Sequence, residues 1–281
     1  MATRAVVGES HSYFARLITL AWLSFAQLVR APSHSRRADA GRRAARHGLL
    51  LSVLVGLAIL ALMYALDVRE IGLMPARGTP GLWWVRILTD FGKSTYVLWS
   101  LAGLLVAIAV ISPALRGIQR ALLLGLGTRL QFVFFAVLLP VLTGELIKWI
   151  VGRGRPFVGG DANAFNFSHF AGTEAYASFP SGHAITGFAL AFAVSVIWPR
   201  ARIPMIAYAL AIAATRLVLL AHHPSDVVGG ALIGIIGAMV VRYWFAARRL
   251  GFAIHRDGAI VALAGPSPGR LKRVARGAFA P

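Results

Sequence analysis

The run Leu49-Leu50-Leu51-Ser52-Val53-Leu54-Val55-Gly56-Leu57-Ala58-Ile59-Leu60-Ala61-Leu62-Met63-Tyr64-Ala65-Leu66 carries no charge between Arg46 and Asp67. A spanning helix needs about 20 apolar residues to cross a hydrocarbon core of about 30 Å, and this run has that scale. Working outward, five more blocks share it, at about Tyr96–Ser112, Leu130–Val151, Ala184–Trp198, Ile203–Ala221 and Val227–Ala246. The block at Ala184–Trp198 is short by strict count. Lipid offers no partner for backbone N–H and C=O groups, so an open chain crosses it as helices. The expected fold is all-α, an integral membrane six-helix bundle. The spans fill 48–246, preceded by an N-terminal segment 1–47 and followed by a basic tail 247–281.

Composition agrees. The 281 residues are 58% hydrophobic and 14% charged, against about 25% charged in a typical soluble domain. Mean hydropathy is +0.70. This excludes intrinsic disorder and argues against a soluble globular enzyme. There is no cysteine, hence no disulfide, thiol nucleophile or Cys-based metal site.

The net charge of +19 is mostly topology. With the N-terminus inside, most Lys and Arg fall in the inner segments 1–47, 113–129, 199–202 and 247–281. The outer segments hold Arg69, Arg77, Arg86, Lys93, Arg153 and Arg155. That bias places both termini in the cytoplasm. It disfavours nucleic acid as a partner and suits anionic inner-leaflet lipid. The expected location is a cell membrane, multi-pass.

Smaller signals fill in the loops. Ala15–Val29 is too short to span and reads as an interfacial helix. Leu82-Trp83-Trp84-Val85-Arg86-Ile87-Leu88 suits a segment at headgroup level. Gly92-Lys93-Ser94 is no P-loop, because the required earlier glycine is Ile87. Asn166-Phe167-Ser168 is a weak glycosylation match, Asp257-Gly258 a hairpin turn, and Gly230-x-x-x-Gly234 a close-packing signal.

Ionisable residues at a membrane edge are costly and point to function. Here three separate stretches bring them to one level, the outer face. Lys148 ends the third span, and Arg153 and Arg155 follow it. Ser181, Gly182 and His183 open the fourth. Arg216 lies on the fifth, followed by His222 and His223, and Asp226 opens the sixth. Lys148, Arg155 and Arg216 form an oxyanion clamp suited to phosphate. Ser181 and Gly182 sit at a helix start, whose free N–H groups bind anions. Two histidines supply a nucleophile or base and an acid. Asp226 is placed to accept a hydrogen bond from one ring nitrogen of His222, leaving the other to attack phosphorus. These residue types alone do not separate His222 from His223. No acidic pair suggests a metal site, and no cofactor is expected. Arg153 reads as a solvated loop cation, Glu145 as a partner for Lys148, and His223 as structural.

The three stretches resemble the type 2 phosphatidic acid phosphatase superfamily over about 130 to 246. Its first motif, Lys, six residues, Arg-Pro, is matched by Lys148 and Arg155-Pro156. Its second, Pro-Ser-Gly-His, is matched by Pro180-Ser181-Gly182-His183. Its third, Ser-Arg, five residues, His, three residues, Asp, is matched by Arg216, His222 and Asp226, with Thr215 in place of Ser. The resemblance implies metal-independent hydrolysis of a lipid phosphate or isoprenoid diphosphate. It makes His222 the nucleophile, Asp226 its orienting group and His183 the acid and then base. Lys148, Arg155, Arg216, Ser181 and the Gly182 amide would hold the phosphoryl oxygens. The headgroup stays open among undecaprenyl diphosphate, phosphatidylglycerophosphate, phosphatidic acid and a lipid A phosphate. Two other readings stand beside hydrolysis: a lipid phosphotransferase using the same histidine, and an anion transporter. A transporter needs charges along its path, and the middles of these spans hold almost none. Vanadium haloperoxidases share the pocket but are soluble.

Overall fold

The computed structural model describes residues 12–156, 158–160 and 162–263. It is mostly helical. The helices are α1 (Tyr13–Val29), α2 (Arg37–Ala65), α3 (Asp67–Leu73), α4 (Trp83–Asp90), α5 (Ser94–Ile111), α6 (Gly117–Val151), α7 (Gly182–Ile197), α8 (Arg202–Val218) and α9 (Pro224–Ala247). A hairpin of β1 (Phe252–Ile254) and β2 (Ile260–Ala262) follows, so the all-α expectation is corrected by one small sheet. Its turn is the one that Asp257-Gly258 suggested: Asp257 Oδ1 accepts from the Ala259 N–H at 3.0 Å.

Among the described residues, five helical stretches are long and apolar enough to cross a membrane: Arg37–Ala65, Pro80–Ala114, Gly117–Val151, Pro199–Val218 and Pro224–Ala247. The chain is a multi-pass membrane protein. Leu49, Leu57 and Tyr64 on α2 and Trp99 and Val106 on α5 are largely exposed. Side chains of this type in such numbers need an apolar solvent around them. The expected fourth span corresponds to α7, which has only 16 residues, or about 24 Å of helix. Its length is relaxed because it is central. Ala184, Ile185, Gly187, Ala189, Ala191 and Ala193 are all buried by neighbouring helices, so protein rather than lipid sets its environment.

Small residues let α7 and α9 touch backbone to backbone. A Cβ at Gly230 would come within 2.5 Å of the Ser181 carbonyl oxygen, and one at Gly234 within 2.5 Å of that of Ile185. The Gly230-x-x-x-Gly234 signal is therefore packing within the bundle. Pro140 lies inside α6 and removes one helical hydrogen bond; Gly237 of α9 packs against its ring. The main core joins α6, α7 and α9 through Phe132, Val133, Ala136, Ala193, Ala238 and Phe245. Phe252 and Ile254 of β1 belong to the same core, with the Phe252 ring 4.8 Å from that of Phe132. The part of 247–281 that is described is thus packed onto the bundle. The rest of that tail, and residues 1–11 of the N-terminal segment, lie outside the described residues.

Helix α1 buries no residue completely and is tied to the bundle by Tyr13 Oη donating to the Val110 carbonyl at 2.7 Å. On α4, Val85 is buried while Trp83 and Trp84 are exposed, the disposition expected of headgroup-level tryptophans.

Candidate active site

The ends of α6 and α8, the starts of α7 and α9, and the loops between them converge at one end of the bundle. Gly152 closes α6 in the left-handed conformation, φ 55°, and a Cβ there would lie 1.8 Å from the Ser168 carbonyl oxygen. The chain therefore turns back sharply after Lys148. The Gly154 N–H donates to the Asn166 carbonyl at 2.8 Å, which folds the loop over Arg153. The starts of α7 and α9 are joined by the Ser181 N–H donating to the Asp226 carbonyl at 3.0 Å.

The structure brings the sequence-derived site residues together. Arg216, Arg155 and Lys148 all act electrostatically on the His222 ring. Arg216 and Lys148 also act on His183, with Lys93. A Cβ built at Gly182 would lie 3.1 Å from Lys148 Nζ, so the ammonium sits over the first residue of α7. Ser181, fully buried, is the residue before the first turn of that helix, where backbone N–H groups have no helical acceptor.

Each cation is held from behind. Lys148 Nζ donates to Glu145 Oε1 at 2.6 Å, as the spacing suggested. Arg155 donates to Glu174 Oε2 at 2.9 Å. Arg216 donates to Thr89 Oγ1 at 2.7 Å; the Thr215 hydroxyl lies 2.9 Å from the same oxygen and donates to the Ile212 carbonyl at 2.6 Å. Four buried atoms nevertheless make no hydrogen bond: Arg155 Nε, Arg216 Nε, Ser181 Oγ and His183 Nε2. A buried polar group left unpaired costs about 1–3 kcal/mol, so several around one place mark it for a polar ligand. Three cations and a helix start specify an anion.

His222 is 3% exposed. Its Nδ1 lies 2.8 Å from the Ser178 carbonyl oxygen. A carbonyl only accepts, so Nδ1 carries the proton and Nε2 the lone pair. Burial first, then Arg216 and Arg155, hold this imidazole well below its ordinary value of 6.5. It is neutral at pH 7.

Two sequence expectations are corrected. Asp226 Oδ2 is 4.0 Å from His222 Nδ1, beyond hydrogen-bond reach. It accepts instead from the Ser178 hydroxyl at 2.6 Å and the His223 N–H at 2.8 Å. Asp226 thus reaches the imidazole through Ser178. Arg153 is the second case. It is not a solvated cation but 1% exposed, donating to Asp226 Oδ1 at 2.6 Å, Asp67 Oδ2 at 2.7 Å and the Ala164 carbonyl. A buried guanidinium is tolerable only when so paired. His223 is fully buried and immediately precedes α9. The Asn166 side chain donates to the Val158 carbonyl at 2.8 Å, which turns the weak glycosylation match into a loop tie.

Asp67, Thr89 and Ser178 escaped the sequence reading. Asp67 is the charge that ends the first apolar run, at the site's end of the bundle, which is a usable signal. Thr89 and Ser178 carry no local signal.

Residues 129–250 match the family model described as the PAP2 superfamily. A lipid A 1-phosphatase of Rhizobium johnstonii is 37% identical over 127 residues, 45% of this chain and 52% of that protein. A lipid A 1-phosphatase of Rhizobium etli is 35% identical over 127 residues, 45% of this chain and 55% of that protein. The match spans about half the length of these curated relatives. No solved structure matches the chain significantly. All three quoted motifs fall inside the stretch that matches the family model, residues 129–250.

Proposed function

We propose that the protein is an integral membrane phosphatase that hydrolyses a lipid phosphate or lipid diphosphate through a phosphohistidine. The observation that carries this reading is His222: neutral, with Nδ1–H held on the Ser178 carbonyl and Nε2 unprotonated, within the field of three cations. His222 Nε2 attacks phosphorus as the P–O bond to the lipid breaks. His183 gives its proton to the departing oxygen. Its positive charge before that step is offset by the phosphate lying among Lys148, Arg155 and Arg216. Water then attacks phosphorus, the P–N bond breaks, and the proton released by water returns to His183. Lys148, Arg155, Arg216, the Ser181 hydroxyl and the Gly182 amide stabilise the equatorial oxygens, the work that a metal does elsewhere.

In this reading α7 is the sixth span, and the site faces outward, away from the basic cytoplasmic end. Clustering of the cations at one end of the bundle supports an enzyme over an anion transporter. Among the open headgroups, the relatives' name favours a lipid A phosphate. The test is phosphate release by the purified protein from lipid A, undecaprenyl diphosphate, phosphatidylglycerophosphate and phosphatidic acid. Release from none of the four overturns the proposal. Labelled phosphate passing to an acceptor lipid without release replaces hydrolysis by transfer.

A further inference from the structure

Arg153 occupies one of the unspecified positions between Lys148 and Arg155 in the first motif, and Asp67 lies outside the 129–250 match altogether. Yet both are fully buried beside the site, at 1% and 0% exposure. Arg153 uses its fork to join two carboxylates, Nη1 on Asp226 Oδ1 at 2.6 Å and Nη2 on Asp67 Oδ2 at 2.7 Å. Ser225 completes a ring. Its hydroxyl accepts from Arg153 Nη1 at 2.6 Å and donates to Asp67 Oδ2, and its N–H donates to Asp67 Oδ1 at 3.0 Å. Asp67 therefore also caps the start of α9, where a negative charge is favoured.

The same ring fixes the acceptor of the His222 imidazole. Asp226 Oδ2 takes the Ser178 hydroxyl at 2.6 Å. The Ser178 N–H donates to the Arg153 carbonyl at 3.0 Å. Ser178 is thus gripped from both sides by Arg153, once through backbone and once through Asp226, and its own carbonyl holds His222 Nδ1–H at 2.8 Å. Any shift of the Arg153 fork moves that carbonyl, and with it the direction of the Nε2 lone pair.

We infer that Arg153 and Asp67 are positioning residues for His222, a buried Asp67–Arg153–Asp226–Ser178 chain that sets the tautomer and aim of the nucleophile. The inference rests on the phosphatase reading and adds to it a dependence on α3, upstream of the family segment. Neither residue touches the phosphoryl group. The charge of the unit matters as well: one guanidinium between two carboxylates leaves a net negative charge near an imidazole that becomes cationic when phosphorylated.

The test uses the full-length protein in detergent, with Asp67→Asn, Arg153→Gln and the double variant. Steady-state turnover, single-turnover phosphoenzyme formation and vanadate inhibition are measured together. We expect kcat and the rate of phosphoenzyme formation to fall about 10²-fold in each single variant, the scale of a small misplacement of a reacting group. KM and the vanadate inhibition constant should move less than about threefold, because the anion-binding groups are untouched. The double variant should be no slower than the worse single one, as members of one unit behave. Arg153→Lys should recover part of the Arg153→Gln loss by restoring the charge without the fork. Ser225→Ala is the milder probe where a carboxylate or guanidinium variant does not fold; it should lower kcat about tenfold or less with KM unchanged. Unchanged kcat in folded variants, equal loss in KM and vanadate binding, or multiplying losses in the double variant each overturn the positioning role. A wild-type protein that hydrolyses no lipid phosphate overturns the phosphatase reading itself. Turnover in wild type matched by Arg153→Gln overturns only this inference.

Discussion

His222 donates its Nδ1–H to the backbone carbonyl of Ser178 at 2.8 Å. A peptide carbonyl cannot change protonation state, so it fixes one tautomer of the ring at every working pH. The carboxylate of Asp226 stands one step back, 4.0 Å from the same nitrogen.

This arrangement predicts the behaviour of Asp226→Asn. One amide oxygen replaces two carboxylate oxygens that accept from Arg153, Ser178 and the His223 N–H. At least one amide hydrogen then faces a donor, at a cost of about 1–3 kcal/mol for the unsatisfied group. The Ser178 carbonyl loses its support and the imidazole its aim. We expect kcat to fall by about 10²-fold or more with KM nearly unchanged. Steady-state kinetics on a lipid phosphate check this; an equal rise in KM would place Asp226 in substrate binding instead.

Glu70 makes a stability prediction. It is 4% exposed, and neither carboxyl oxygen has a partner. Burial, then Asp67 and Asp226, push its pKa from 4.5 up to about 7. The folded state therefore binds a proton more tightly than the unfolded state. This contribution is complete below pH 4.5 and is lost as pH rises through about 7. Glu70→Gln keeps the neutral form at all pH. Melting temperatures in detergent should show wild type losing ground to Glu70→Gln between pH 5 and pH 8, by about 2–4 °C per kcal/mol for a chain of this size. Parallel curves would show that Glu70 is ionised in the fold.

How much of this was legible follows from sequence distance. Lys148, Arg155, Ser181, His183, Arg216, His222 and Asp226 stand at or next to the ends of the apolar blocks, so hydropathy and alternating topology predict that they meet at one membrane face. Asp67 meets Ser225 across 158 residues, and Thr89 meets Arg216 across 127; nothing local announces either contact. The loop around Arg153 is polar by sequence and reads as solvated, whereas its folding back onto Asn166 and Ser168 seals the guanidinium in. Two helices run well beyond the apolar blocks that mark them in the sequence. The helix α2 begins at Arg37 and α6 at Gly117, since charged turns continue a helix beyond the apolar stretch that hydropathy detects.

Orientation can be read directly because the chain contains no cysteine. Single replacements Asn163→Cys and Arg256→Cys sit at opposite ends of the bundle. The basic bias predicts a cytoplasmic location for residue 256. In intact cells a membrane-impermeant maleimide should label position 163 and should reach position 256 only after lysis. The reverse pattern would turn the site inward.

Activity should survive EDTA and be inhibited by vanadate. In the proposed mechanism the three cations and the first-turn amides of α7 would supply the charge stabilisation, and vanadate can adopt the five-coordinate geometry of the transferring phosphoryl group. Phosphate release measured with chelator, with added magnesium and across a vanadate titration checks both. Loss with EDTA that magnesium restores would require a metal in the mechanism.

The phosphoenzyme itself is the sharpest test. Its expected form is a phosphoramidate on His222 Nε2, which is acid-labile and base-stable. Labelled substrate quenched in base should yield labelled protein from wild type and none from His222→Ala. His183→Ala should slow formation most for a poor alkoxide leaving group and less for an activated ester, because it removes the proton donor and not the nucleophile. His223→Ala keeps the backbone N–H that Asp226 accepts. It should retain the phosphoenzyme while losing thermal stability, since the ring it deletes is fully buried. The pH dependence has a defined sign. With its pKa held well below 6.5 by burial and by Arg216 and Arg155, His222 stays neutral as pH falls through 6.5, so phosphoenzyme formation should show no loss there. Arg155→Gln removes one repelling cation and should move the acid limb to higher pH. Label retained by His222→Ala but lost from His223→Ala would shift the nucleophile one residue along the chain, and with it the register of the third motif.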